Sequence, residues 1–249
     1  MSAASDKYEH DVAGNINGQT KGLVAVRPKV STSFPDVKVT WKAKDYWVEV
    51  KMNHSDNLMN PRFEFVNNKW AVPASYKSPA TDKIVDLLNG NKVVKQWTEG
   101  LRIHLAKNKF KGDIKKFSLY SSKTERGTDT NAVSVALMKS YLQTLPNKNI
   151  VKIPNIDVGE LVTLHYTQGK AAPAYYVSAG DDFYQFGRTN PLKIPKVPIF
   201  KGLNDLVLRV GDRSDNFEIQ AEVKIKSIPD SPYSVAPGSR KPNPFSMLK

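Results

Sequence analysis

The chain contains no cysteine. That absence excludes a disulfide framework, a thiol nucleophile and any cysteine-ligated metal. No stretch approaches the ~20 apolar residues that a membrane span requires. Met1 to Asp11 is polar, without the apolar run of a signal peptide. The chain is therefore expected to be cytoplasmic and to have no membrane partner. Histidine is scarce: His10, His54, His104 and His165 lie far apart, with no pair at the spacing of a helical zinc motif. A Gly-rich phosphate loop and a Gly-x-Ser-x-Gly elbow are also missing, which removes two common routes to nucleotide and hydrolase chemistry.

Positive charge is plentiful. Lys and Arg number 37 against 24 Asp and Glu, for a net charge of +13 and a pI near 9.6. Such an excess attracts polyanions and speeds encounter with them. Lysine far outnumbers arginine, so recognition of specific bases through arginine forks is not the expected mode. With 249 residues, 40% of them hydrophobic, the chain is long enough to bury a core without staples, as one large domain or two small ones.

Apolar periodicity predicts a first helix over residues 3–17, with Ser5 as N-cap and Tyr8, Val12 and Ile16 on one face. Ser31-Thr32-Ser33 reads as a turn. Val37, Val39 and Trp41 then alternate with polar residues. After the break Lys42 to Asp45, Tyr46, Val48, Val50 and Met52 alternate with Trp47, Glu49 and Lys51. This is the pattern of a β-hairpin. Helices are expected over 79–89, opened by Ser78-Pro79, over 92–107, and over 131–145, stopped by Pro146. From residue 150 the texture turns to β, with strands expected at 161–166, 174–178, 183–186, 206–210 and 217–228. Residues 229–249, rich in Pro, Ser, Gly and Lys, read as a flexible tail. The expected division is 1–150, 151–228 and that tail.

The hairpin carries the chemistry. A turn centred on Ala43-Lys44 would pair positions summing to about 87, placing Asp36 opposite Lys51 and Lys38 opposite Glu49. Glu49 and Lys51, two apart, share a face. Asp36, Glu49 and Lys51 would then converge, with Val37, Val39, Trp41, Val48 and Val50 on the other face. A turn centred one residue away is expected to take Asp36 off the shared face. Two carboxylates can hold Mg²⁺ or Mn²⁺ through oxygens, and the carbonyl of Val50 can add a further ligand. A neighbouring ammonium can orient water or neutralise charge at a phosphate.

At Pro35-Asp36, followed after twelve residues by Glu49-Val50-Lys51, the chain resembles the PD-(D/E)xK nuclease superfamily. The resemblance implies a restriction-endonuclease-like α/β fold: a central mixed sheet flanked by helices, here with a β-rich C-terminal extension. It implies phosphodiester hydrolysis, with DNA the expected substrate. Asp36 and Glu49 would be metal ligands and Lys51 the charge stabiliser. The acid that this family often carries on the helix before the motif strands would be Glu9, with Asp11 a weaker candidate. His54, shortly after the motif, is a candidate for substrate contact, as are Lys38 on the hairpin and Lys109 and Lys111 in the basic run that continues to Lys115-Lys116. Two rivals remain open: a nucleic-acid-binding protein without catalysis, and a viral structural or assembly protein that forms oligomers. The lysine-rich, cysteine-free composition suits a bacterial or phage-encoded chain.

Overall fold

The computed structural model describes residues 3–28, 34–54, 56–146, 150–157, 159–213 and 216–249. The turn expected at Ser31-Thr32-Ser33 lies outside them. Along the chain run α1 (Ala3–Ile16), β1 (Val24–Val26), β2 (Val37–Trp41), β3 (Lys44–Lys51), β4 (Glu64–Val66), β5 (Lys69–Ala71), α2 (Pro79–Gly90), α3 (Lys92–Lys107), α4 (Lys123–Arg126) and α5 (Val135–Gln143). They are followed by β6 (Ile150–Asp157), α6 (Gly159–Gln168), β7 (Ala174–Ala179), β8 (Asp182–Gln185), β9 (Leu203–Arg213) and β10 (Asn216–Ser227). Among the described residues no helix is long and apolar enough to cross a membrane.

The chain divides into two units, with one of the borders between them at Ile156/Asp157. The first comprises Met1–Leu58, Asp157–Asn204 and Ile225–Lys249; the second comprises Met59–Ile156 and Asp205–Lys224. Each unit is assembled from separate stretches of chain, so no single composition shift marks the border.

The first unit is built on a five-stranded sheet in the order β1-β2-β3-β7-β8. β1, β2 and β3 pair antiparallel, β3 and β7 parallel, and β7 and β8 antiparallel. Mixed pairing puts β3 in the middle, where both of its edges are hydrogen-bonded. Val37, Val39, Val48 and Val50 pack in one core with Val12, Ala13 and Ile16 of α1. Burying such side chains fully is worth about 1.5–3 kcal/mol each. α6 packs on β7 and buries Leu161, Val162 and Tyr166. The sheet is thus mixed and flanked by helices.

The hairpin turn is Lys42-Ala43, with φ of 49° and 58°, and not Ala43-Lys44. The observed pairs are Val37 with Val48, Lys38 with Trp47 and Trp41 with Lys44. Moving a two-residue turn by one position shifts the partner by two. Period-2 alternation therefore leaves each side chain on its face. The expectation that such a displacement would remove Asp36 from the shared face is corrected on that ground. Extending the register one step places Asp36 opposite Glu49, not Lys51.

Two further expectations fail. Residues 161–166 form part of α6, not a strand. Their β-branched composition suggested β, but burial of Leu161, Val162 and Tyr166 follows a helical face, and packing overrides propensity. The segment 229–249 is not a loose tail: Tyr233, Val235, Phe245 and Leu248 are buried in the core of the first unit. Asn15 Nδ2 donates to the Val235 carbonyl at 3.1 Å, and Asn243 Nδ2 to that of Asn15 at 2.8 Å. Spaced apolar anchors secure it despite its Pro and Ser content.

In the second unit, α2 begins with the expected Ser78-Pro79. Ser78 Oγ accepts from the Thr81 amide at 3.2 Å, and Thr81 Oγ1 from the Ser78 amide at 2.8 Å, a reciprocal cap. Aromatic contacts link Phe117, Phe65, Trp70, Trp97 and Tyr141. Gly100 on α3 is needed for this packing, because a Cβ there would lie 2.7 Å from the Tyr141 hydroxyl oxygen. A three-stranded sheet in the order β10-β9-β6 completes the element list.

Candidate metal centre

Asp36 sits just ahead of β2, and its Oδ2 accepts the amide N–H of Val50 at 2.8 Å. Glu49 lies towards the C-terminal end of β3, 3% exposed. Its Oε1 accepts from Lys51 Nζ at 2.7 Å. Its Oε2 is buried and has no hydrogen-bond partner. The sheet dictates this placement: β3 is flanked on both sides, so a side chain at position 49 is enclosed wherever a helix covers its face.

That helix is α6. Tyr166 is almost fully buried and its hydroxyl donates to the Leu58 carbonyl. Lys170 Nζ stands 5.6 Å from the Tyr166 ring centroid. Burial pushes the His165 imidazole down to about 4, with Lys170 adding to the effect, so the ring is neutral at pH 7. The Tyr166 phenol is pushed well above its ordinary value by burial and by the charge of Glu49.

The two carboxyl groups diverge in acidity. Burial and the charge of Glu49 raise Asp36 to about 7, against opposing effects of Lys51 and the Val50 amide. Burial also acts to raise Glu49, but the ammonium groups of Lys51 and Lys170 outweigh it and hold Glu49 below its ordinary value. The Lys51 ammonium is itself held well above its usual range: burial acts against the charge, and Glu49, Tyr166 and Asp36 overcome it. Two acids pushed apart in this way can take different roles.

No protein-family model, curated protein or solved structure matches this chain.

The other sequence candidates fall at varied distances from this geometry. Glu9 is buried on α1, but its Oε2 accepts from Arg27 Nε at 2.9 Å and its Oε1 from Ser5 Oγ at 3.2 Å. Arg27 also pairs with Asp6 at 3.0 Å. Glu9 is therefore already neutralised, and only its field reaches Asp36. Asp11 pairs with Lys7 at 2.6 Å. Lys38 pairs with Asp45 at 2.8 Å, not with Glu49, because it lies opposite Trp47. His54 Nε2 is 3.0 Å from Asp182 Oδ2. Asp182 Oδ1 also accepts from Lys241 Nζ at 2.6 Å and from the Ser231 amide at 2.8 Å. Lys109 and Lys111 are exposed residues of the second unit.

Sequence reasoning missed Tyr166, His165, Lys170 and Asp182. His165 and Tyr166 were hidden by reading 161–166 as a strand, and Lys170 lies just beyond that segment. Asp182 had a visible signal, the Gly180-Asp181-Asp182 turn, but nothing tied it to His54.

Among the described residues no group of three or more His, Cys, Asp or Glu is placed to hold a metal. A site of two carboxylates and a main-chain oxygen needs no third acid. The fit is tested by Glu49 Oε2, a buried oxygen that receives no hydrogen bond, because the neighbouring Tyr166 hydroxyl donates its one proton to the Leu58 carbonyl. An oxygen desolvated without a hydrogen bond costs about 1–3 kcal/mol, and a hard divalent cation would satisfy it. The half-buried Asp36, raised to about 7, fits the same need, since a cation would let both acids ionise.

Proposed function

We propose that the chain is a metal-dependent nuclease that hydrolyses phosphodiester bonds, with DNA the expected substrate. One observation carries this reading. The buried Oε2 of Glu49 lacks a hydrogen-bond partner, next to an Asp36 whose pKa is raised to about 7. Asp36 and Glu49 would hold Mg²⁺ or Mn²⁺, with the carbonyl of Val50 as a further ligand. A bound divalent ion would supply Lewis acidity toward a phosphate oxygen and lower the pKa of water.

The residues of the chain do the rest. Lys51, charged at any working pH, neutralises negative charge developing at the phosphate. The Val50 amide fixes the orientation of Asp36 through its 2.8 Å hydrogen bond. Tyr166 is buried within the field of Glu49 and lowers the local polarity around it. Asp182 anchors His54, which is half-exposed and able to contact substrate. The restriction-endonuclease-like resemblance is supported by the mixed sheet of the first unit, in which α1 precedes three antiparallel strands bearing the motif and, after residues 59–156 of the second unit, α6 leads to β7, parallel to β3.

A second reading, nucleic-acid binding without cleavage, is favoured by the Glu49–Lys51 ion pair, which at 2.7 Å balances the charge of Glu49 without a metal. A plasmid-nicking assay separates the two. The nuclease nicks only with Mg²⁺ or Mn²⁺, and Asp36→Ala abolishes nicking while largely sparing DNA binding. A wild-type protein that binds plasmid yet never nicks it with either metal leaves the second reading standing.

A further inference from the structure

A groove of about 610 Å³ lies beside the β2–β3 turn in the first unit. Trp41 and Tyr46 supply ring surface to it, Lys42, Lys44 and Lys193 supply charge, and Met247 closes one side. Lys249 lines it as well, and no lining residue is acidic. We propose that this groove is a second nucleic-acid site, which holds a single-stranded segment away from the metal centre.

The backbone shows that two of these lysines, Lys42 and Lys193, are held in place at a cost. Lys42, Ala43 and Lys193 all adopt positive φ, at 49°, 58° and 53°. L-residues with a Cβ are strained there, and two-residue hairpin turns favour Asn and Gly. The β4–β5 hairpin of the same chain follows that preference, with Asn67-Asn68 at φ of 51° and 61°. The β2–β3 turn carries Lys-Ala instead, and its lysine lines the groove. Lys42 Nζ donates to the Lys249 carbonyl at 2.8 Å and lies 5.4 Å from the Trp41 ring centroid.

The chemistry selects the ligand. Lysines neutralise phosphates, and aromatic side chains stack bases. A duplex keeps its base faces stacked on one another, so Trp41 and Tyr46 can serve only unpaired bases. An acidic peptide would use the lysines and leave the rings without a role. Trp41 shares the face of Val37 and Val39, opposite that of Glu49 and Lys51. It lies five residues along the chain from Asp36, about 17 Å of extended strand. The groove therefore adds affinity without touching the reacting atoms. Choosing nucleic acid as the polyanion rests on the nuclease reading; the charge and ring content of the groove do not.

The test is fluorescence anisotropy with a short labelled oligothymidylate, in EDTA so that no cleavage occurs. Lys193→Glu and Lys44→Glu are each expected to weaken binding about tenfold, with unchanged urea midpoints. Trp41→Ala should weaken it to a similar degree; if that variant loses stability, the two lysine variants decide. A duplex of equal length should lose less. Unchanged oligothymidylate affinity in both lysine variants overturns the proposal, and so does competition by polyglutamate as strong as that by unlabelled oligothymidylate. Nicking assays keep the two readings apart. If the groove variants lose single-strand binding but the wild type never nicks, the nuclease reading falls and the groove stands. If the wild type nicks and the variants bind unchanged, the groove falls alone.

Discussion

The amide of Val50 donates to Oδ2 of Asp36 at 2.8 Å, tying the residue ahead of β2 to the end of β3. This bond fixes one carboxylate of the candidate centre by main chain alone. It is kept by any acceptor at position 36. An amide in place of the acid therefore isolates the effect of the charge from that of the geometry.

Asp36→Asn should retain the fold and lose at least about 100-fold in Mg²⁺-dependent nicking, the scale on which a preorganised electrostatic group acts. Nicking rates at saturating metal, beside circular dichroism of both proteins, check this. A variant that nicks at the wild-type rate would remove Asp36 from the centre.

Stability without metal should depend on pH through Asp36. Its folded pKa is about 7 against an ordinary 3.8. The folded state thus keeps a proton that the unfolded chain releases. That contribution is fully present below pH 3.8 and is lost as pH rises through 7. After allowance for partial exposure, the loss is on the order of 2 kcal/mol. Thermal melts in EDTA should show the wild type less stable at pH 8 than at pH 5, with the difference reduced in Asp36→Asn. Added Mg²⁺ should raise the melting temperature more at pH 8, because ligand binding requires the deprotonated acid.

Tyr166→Phe removes the hydroxyl and leaves the Leu58 carbonyl without that donor. A cost of about 1–3 kcal/mol is expected, readable as a lower urea midpoint with unchanged slope. No loss would mean that water replaces the hydroxyl.

Glu9 and Arg27 should behave as a structural pair. Arg27→Ala strands a buried carboxylate (Glu9 is 3% exposed) and should destabilise by about 3–5 kcal/mol. Glu9→Gln should keep nicking within about tenfold, since Arg27 already occupies the carboxylate. A Glu9→Gln protein that folds but has lost all nicking would make Glu9 a ligand after all.

Lys109→Ala combined with Lys111→Ala should weaken DNA binding across sequences and lower the salt slope by about 2. Titrations over a range of salt concentrations measure it. An unchanged slope would place the phosphate contacts elsewhere on the chain.

Much of the local structure was legible because it depends on short-range pattern. The alternation from Val37 to Met52 announced the hairpin, and Ser78-Pro79 announced α2 with its reciprocal cap. The exact turn was not legible: Lys42-Ala43 carries none of the Asn-Gly signal that marks such turns. The helix at 159–168 was misread because a short apolar run with β-branched residues fits either element. The tail was misread because composition does not reveal that Tyr233, Val235, Phe245 and Leu248 have a core to enter.

The sequence by itself determined that Glu49 and Lys51 share a face with Asp36, since strand periodicity survives a displaced turn. It also determined the absence of thiol chemistry and the excess of positive charge. Only the structure decided which residue stands opposite Glu49, that Glu49 is buried and paired with Lys51, that Glu9 is taken by Arg27, and that Lys38 turns to Asp45. The reason is physical. A face is set by neighbours two residues apart, whereas burial and charge pairing are set by whichever residues the fold brings together, from Lys38 and Asp45 on one hairpin to Tyr166 and Leu58 from distant parts of the chain.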